Sequence, residues 1–197
     1  MRFIKTVVFS IFVFPFLPSF GFAQNEVKIE REVGIKEKLV PSEASEWLYD
    51  AFEEAKKPNW FQEFSLNGYS YEAKFRLEGK YYSVEFDSLG KIEDVEIEMD
   101  FDELDDSVKK NLNQYFSDNY EVHKISKIQI QYTGEEDDLE DFFDENEKEG
   151  VTVRYEIEYR GKVSNKVDEI WEGTFGADGT FITKRKIEIR ITDNLIF

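Results

Sequence analysis

Apolar residues at Ala44, Trp47, Leu48, Ala51, Phe52 and Ala55 recur at i, i+3, i+4, i+7, i+8 and i+11, which draws one stripe along a helix of about 14 residues. Ser42 is the candidate N-cap and Lys57-Pro58 closes the segment. Leu104, Val108, Leu112, Tyr115 and Phe116 repeat the spacing, with Asp102 or Asp105 as the cap of a second helix. After each helix the period changes to two. Tyr69, Tyr71, Ala73, Phe75 and Leu77 alternate with polar residues, as do Val151, Val153, Tyr155, Ile157 and Tyr159, and then Ile187, Ile189 and Ile191. One dry and one wet face is the mark of antiparallel strands, because parallel sheets are covered on both sides and read as continuous apolar runs. The turns agree: Asn67-Gly68, Glu78-Gly79, Leu89-Gly90, Arg160-Gly161 and Asp178-Gly179 separate the strands. The pattern predicts strands over residues 60–66, 69–78, 80–87 and 91–99, then 121–133, 151–160, 166–175 and 180–191. The fold class is α+β: two repeats of one helix plus a four-stranded antiparallel meander, joined in one curved sheet with the helices on one face.

The two halves also match in detail. The segment from Tyr82 to Ile92 aligns with that from Trp171 to Phe181, aromatic on aromatic and Gly90 on Gly179. The repeats are placed at 39–100 and 101–197, the second carrying an acidic loop at 134–150. A Val40-Pro41-led helix, Pro58 and Trp60 at its exit, and the strand Tyr82-Ser83-Val84-Glu85-Phe86-Asp87 running into Gly90-Lys91-Ile92 together resemble the PepSY-like, β-lactamase-inhibitor-like domains of exported bacterial proteins. The resemblance spans about residues 39–191 in two copies. It implies a helix plus four-stranded unit, duplicated, that binds or inhibits other proteins outside the cytoplasm and brings no catalytic residues or cofactor. The chain departs from the inhibitor pattern in having no cysteine and in a sheet face rich in Glu, Lys and Arg, so β-lactamase is not implied as the target.

The N-terminus has an address. Arg2 and Lys5 precede an apolar run from Thr6 to Leu17, and Gly21-Phe22-Ala23 puts small residues at the −3 and −1 positions of a cleavage site. Residues 1–23 are read as a secretory signal peptide, because the apolar run is shorter than the roughly 20 residues of a membrane span. Residues 24–38, charged and without period, are read as a flexible lead-in. No cysteine follows the run, so the expected product is exported to the periplasm or beyond, not a lipoprotein, with no span left after cleavage.

Charge narrows the partners. A formal charge of −18 disfavours nucleic acid, whose phosphates select basic surfaces. An aromatic fraction of 16% argues for a packed core against disorder. Zero cysteines exclude thiol catalysis and thiolate metal sites. His123 is the single histidine, which excludes a two-histidine metal site, and no Gly-x-Ser-x-Gly elbow is present to serve it; it is read as a structural residue.

Two surfaces remain as candidates for protein binding. One is the charged sheet face, with Glu72, Lys74, Arg76, Arg154, Glu156, Lys184 and Lys186, where cross-strand ion pairing explains the pattern without a partner. The other is the acidic segment Glu135 to Glu149, read as a solvated hairpin loop that can be shortened with little loss of stability. Within it Asp137, Asp138, Glu140 and Asp141 would steer a basic partner onto Phe142 and Phe143 as an exposed anchor. No metal site is assigned; Asp137, Asp138, Asp141 and Asp144 are the alternative ligands, since hard cations take six to eight oxygens, but the EF-hand order is missing. The expected function is an exported, non-enzymatic binding or inhibitory module for a protein partner. The alternatives are an acidic envelope protein that binds cations such as calcium, or an enzyme that works with carboxylates alone.

Overall fold

A computed structural model describes residues 27–28, 31–65, 68–163 and 167–187. The predicted signal peptide lies outside the described residues, as do Asn67 and residues 188–191. The chain is α+β. Strands β1 (Val27–Lys28), β2 (Arg31–Ile35), β3 (Asn59–Phe64), β4 (Tyr69–Leu77), β5 (Lys80–Phe86), β6 (Ile92–Glu98), β7 (Val122–Thr133), β8 (Thr152–Lys162), β9 (Glu169–Gly176) and β10 (Phe181–Ile187) form one sheet, and helices α1 (Ser42–Ala51), α2 (Asp106–Asn119) and α3 (Glu136–Asp144) accompany it. From β2 to β10 every neighbour is the next strand in sequence and antiparallel; two-residue β1 adds parallel to β10 at the far edge. All eight predicted strands are present, with ends close to the predicted ones wherever both lie among the described residues; the predicted end of the last, at 191, lies outside them.

Register places the apolar set on one face. Across the sheet Tyr71 pairs with Phe86, Ala73 with Val84, Val84 with Val95, Val95 with Tyr132, Ile128 with Ile157, and Tyr159 with Trp171, and directly paired residues share a side. The helices cover that side. Ala44, Trp47, Leu48 and Ala51 of α1 and Leu139 of α3 bury against β3–β6, while Val108, Leu112 and Phe116 of α2 bury against β7–β9. All six residues of the predicted first stripe are buried. Two glycines allow the closest approaches. Gly90 (φ +93°), in the β5–β6 turn, would put a Cβ 2.7 Å from Pro41 at the start of α1, and Gly179 (φ +80°), in the β9–β10 turn, would put one 2.8 Å from the carbonyl oxygen of Val108 in α2. Both positions therefore need glycine twice over, for conformation and for space.

Three expectations change. The lead-in contributes strands: Ile35 of β2 pairs with Trp60 on the core side, so residues 31–35 add an edge strand where flexibility was expected. The caps differ as well. Ser42 is the first helical residue behind Pro41, and Asp105 at the N-cap of α2 makes no side-chain capping bond; the reciprocal box is one turn earlier, between Asp100 and Glu103. Finally, the acidic loop contains α3. Its Leu139, Phe142 and Phe143 are spaced i, i+3, i+4 and turn to the core, and Glu136, Asp137 and Asp138 in its first turn complement the helix dipole.

The sheet is strongly curved. Lys28 of β1 pairs beside Ile187 at one edge, and Arg31 of β2 pairs with Phe64 at the other. Three peptide links hold Lys28 and Arg31 within about 11 Å, whereas eight strand spacings laid flat would separate β10 from β2 by about 38 Å. The two edges therefore converge, and the face without helices becomes the inside of a trough.

Candidate functional site

The trough is lined by the residues that alternate with the core. Glu72, Lys74 and Arg76 come from β4, Ser83 and Glu85 from β5, Asp94 and Glu96 from β6, Gln129 and Gln131 from β7, Arg154, Glu156 and Glu158 from β8, and Glu172 from β9. A cavity of about 690 Å³ runs from Glu32 and Glu63 on one wall to Glu172 and Ile187 on the other, and a second of about 470 Å³ adjoins it at Glu85, Asp94, Glu96, Gln131, Glu156 and Arg185. Curvature buries polar groups that a flat sheet would leave in water: Glu72, Ser83, Glu96, Gln129, Gln131 and Glu172 are all buried.

Burial of charge demands partners, and the trough meets the demand in two ways. In the first trio, Glu32, Glu63 and Glu72, the Lys74 ammonium bridges Glu32 and Glu72, 2.8 Å from the latter, and the Ser83 hydroxyl donates to Glu72. Burial pushes the Glu72 carboxyl up, but Lys74 and these bonds outweigh it and hold it below the ordinary carboxylate value. Lys74 is raised in turn: burial opposes its charge, and Glu32 and Glu72 overcome that opposition. The second trio is Glu85, Asp94 and Glu96. Asp94 Oδ2 accepts a 3.1 Å bond from the Gln131 amide, while Oδ1 is sealed from water and has no donor. Burial and then the charges of Glu85, Glu96, Glu156 and Glu93 push the Asp94 carboxyl well above its ordinary value.

A raised acid pKa means that the folded state holds a proton the unfolded chain has released. Stability must therefore fall as pH rises from about 3.9, the unfolded value, to the folded one. Asp94→Asn keeps an acceptor for Gln131 and removes the charge. In buffers stripped of divalent metal its melting temperature is expected to match the parent below about pH 4 and to exceed it increasingly above; a variant less stable than the parent at pH 7 would contradict the assignment.

The residues expected to bind a partner divide between two faces. Glu72, Lys74, Arg76, Arg154 and Glu156 line the trough side, with Lys74 over the Phe61 ring at 5.1 Å and Arg76 over Tyr81 at 4.8 Å. Lys184 and Lys186 do not join them. A bulge between Phe181 and Thr183 shifts β10 by one residue, and with a side-chain period of two that shift exchanges the faces. Lys184 thus pairs with Gly173 on the helix side, donating to the Tyr120 hydroxyl at 2.8 Å and lying 4.4 Å over the Trp171 ring, and Lys186 pairs with Trp171 and bridges to Glu169 at 2.9 Å. Arg185 and Ile187 take the trough side instead.

Asp137, Asp138, Glu140, Asp141 and Asp144 are on α3, on the helix side of the sheet. Phe142 and Phe143 are half-buried rather than an exposed anchor: Phe143 is 4.8 Å from Phe52, and Phe142 is 4.9 Å from Tyr132. Among the described residues, the carboxylate trios close enough to share one cation are the two in the trough. His123 is exposed and stacks on Phe116 at 4.7 Å. The residues missed in the sequence, Glu85, Asp94, Glu96, Gln129 and Gln131, carry the same signal as those found, since each alternates with Val84, Val95, Ile97, Ile128 or Ile130.

No family model and no curated protein matches the chain. Solved structures do. A DUF2874 family protein from Bacteroides ovatus overlays with a TM-score of 0.53 at 15% identity, over 75% of this chain and 87% of that one. A protein from Bacteroides eggerthii described as periplasmic overlays at 0.50 with 14% identity, over 75% and 88%. A BLIP-like protein from Bacteroides fragilis overlays at 0.48 with 13% identity, over 75% and 86%. At these identities the likeness is one of fold. Among the described residues no helix is long and apolar enough to cross a membrane.

Proposed function

We propose that the chain is an exported, non-enzymatic module that holds a basic segment of a protein partner in the trough of its sheet. The observation that carries the reading is the trough itself, a cavity of about 690 Å³ between converging sheet edges, lined chiefly by glutamates with three lysines and one arginine. Such a surface offers area and a focused negative field, and both are properties of docking. Export is supported by the signal-peptide pattern of residues 1–23 and by the likeness in fold to a protein described as periplasmic. We read the architecture as a PepSY-like unit used twice. Each of α1 and α2 precedes four strands, and Gly90 and Gly179 press on α1 and α2 from equivalent turns.

The test is capture from the cell envelope followed by kinetics on the captured protein. Reversing the trough with Glu85→Lys and Glu156→Lys is expected to abolish capture, and neutralising Asp137, Asp138, Glu140 and Asp141 on α3 is expected to leave it. The association rate should fall as salt shortens the screening length below about 10 Å. A partner held equally by the trough reversal, or an on-rate indifferent to salt, would remove the trough from the interaction.

A further inference from the structure

We propose that Glu85, Asp94 and Glu96 form a divalent-cation site, selective for calcium, in the floor of the trough. Glu85 and Asp94 are direct cross-strand partners on β5 and β6, and Glu96 follows Asp94 two residues on, so the pleat points all three to one side. One oxygen from each lies within 4.8 Å of the others, the spread that a single ion with bonds of about 2.3–2.6 Å spans.

A group of acids alone would carry little weight in a chain of this charge. The second observation is Asp94. The residue lines the cavity together with Glu85 and Glu96, and its Oδ1 is enclosed by protein with no hydrogen-bond donor. The neighbouring trio shows what such an arrangement calls for, because there the Lys74 ammonium sits against Glu32 and Glu72. Around Asp94 the cavity is lined chiefly by carboxylates, those of Glu85, Glu93, Glu96 and Glu156, with Arg185 also on its wall. A bound cation would supply the missing contact for Oδ1 and reverse the sign of the local field.

The surroundings suit that role. Gln129 donates to Glu96 Oε2 at 2.6 Å, and Gln131 donates to Asp94 Oδ2 at 3.1 Å and to Glu156 Oε1 at 3.2 Å, bonds that fix ligand orientation as outer-shell groups do in metal sites. The adjoining space of about 470 Å³ has room for the waters that complete a shell of six to eight oxygens. An all-oxygen donor set excludes a preference for zinc or copper, and an open, irregular shell suits calcium better than magnesium, which demands near-ideal octahedra.

Titration calorimetry of the full chain, stripped with chelator, decides the matter without any protein partner. Calcium chloride is expected to bind one to one with a dissociation constant between about 10⁻⁵ and 10⁻³ M, and magnesium chloride at least tenfold more weakly. Asp94→Asn with Glu96→Gln should weaken calcium at least tenfold while leaving the calcium-free circular dichroism and melting cooperative, and Glu85→Gln alone should weaken it measurably. Glu63→Gln, in the trio already served by Lys74, and Asp137→Asn with Asp141→Asn on α3 should leave the affinity within twofold. No heat with the parent chain up to 10 Kd of the expected range, or an affinity that follows the α3 change and ignores the Asp94 change, overturns the site.

Discussion

Replacing Glu135 to Glu149 by an Asn-Gly turn is expected to destabilise the protein by at least about 4 kcal/mol, because it removes one wall of a core rather than a solvated loop. Leu139 is fully buried, and truncating such a leucine alone costs about 2–5 kcal/mol. The Trp47 indole would lose its acceptor, the Glu136 carbonyl oxygen at 3.2 Å, in a residue only 3% exposed. Phe52 and Tyr132 would lose the rings of Phe143 and Phe142. Relief of repulsion works in the opposite direction, but contributions between exposed charges are each below about 1 kcal/mol. Urea unfolding of the shortened chain measures the balance, and Leu139→Ala provides a check that leaves every charge in place. A shortened chain within 1 kcal/mol of the parent would mean that α3 rests on the core without supporting it.

The reason α3 escapes a reading of the sequence is that two patterns compete over the same residues. Six of its nine residues, Glu136, Asp137, Asp138, Glu140, Asp141 and Asp144, are acidic, and a charge run is ordinarily a solvated loop. The helical signal, Leu139 with Phe142 and Phe143, is only three residues long and becomes decisive once Trp47 and Phe52 are placed opposite. The long stripes and the alternating strands were legible because each repeats its period several times. Face assignment on β10 was not, since a bulge between Phe181 and Thr183 leaves no mark in the alternation of Lys184, Lys186 and Ile187 yet exchanges their sides. The trough was half legible. Alternation says that Glu85, Asp94 and Glu96 leave the core, but only the converging edges turn an exposed face into a concave one, and convergence depends on strand order at both ends of the chain.

Residues 31–100 expressed alone are expected to associate or to unfold without a cooperative transition, even though they hold α1 and four of the strands it covers. Separating them from the rest cuts the ladder between β6 and β7, where Val95, Glu96, Ile97 and Glu98 pair with Tyr132, Gln131, Ile130 and Gln129. An unpaired β6 with Val95 and Ile97 beside it is an open template for another chain. The core suffers as well as the edge: Leu139, Tyr132, Phe143 and Val151, all from the second half, pack against the cluster built on α1. The dependence runs both ways, for Met99 of the first half packs against the cluster built on α2. Sedimentation velocity and urea unfolding of the fragment test this directly. A monomer that unfolds cooperatively would establish two independent domains, and the trough would then be a joint between them. Recovery of a one-to-one complex when residues 31–100 and 101–197 are mixed would instead show that the β6–β7 ladder and the exchanged side chains are what make the sheet, and hence the trough, a single unit.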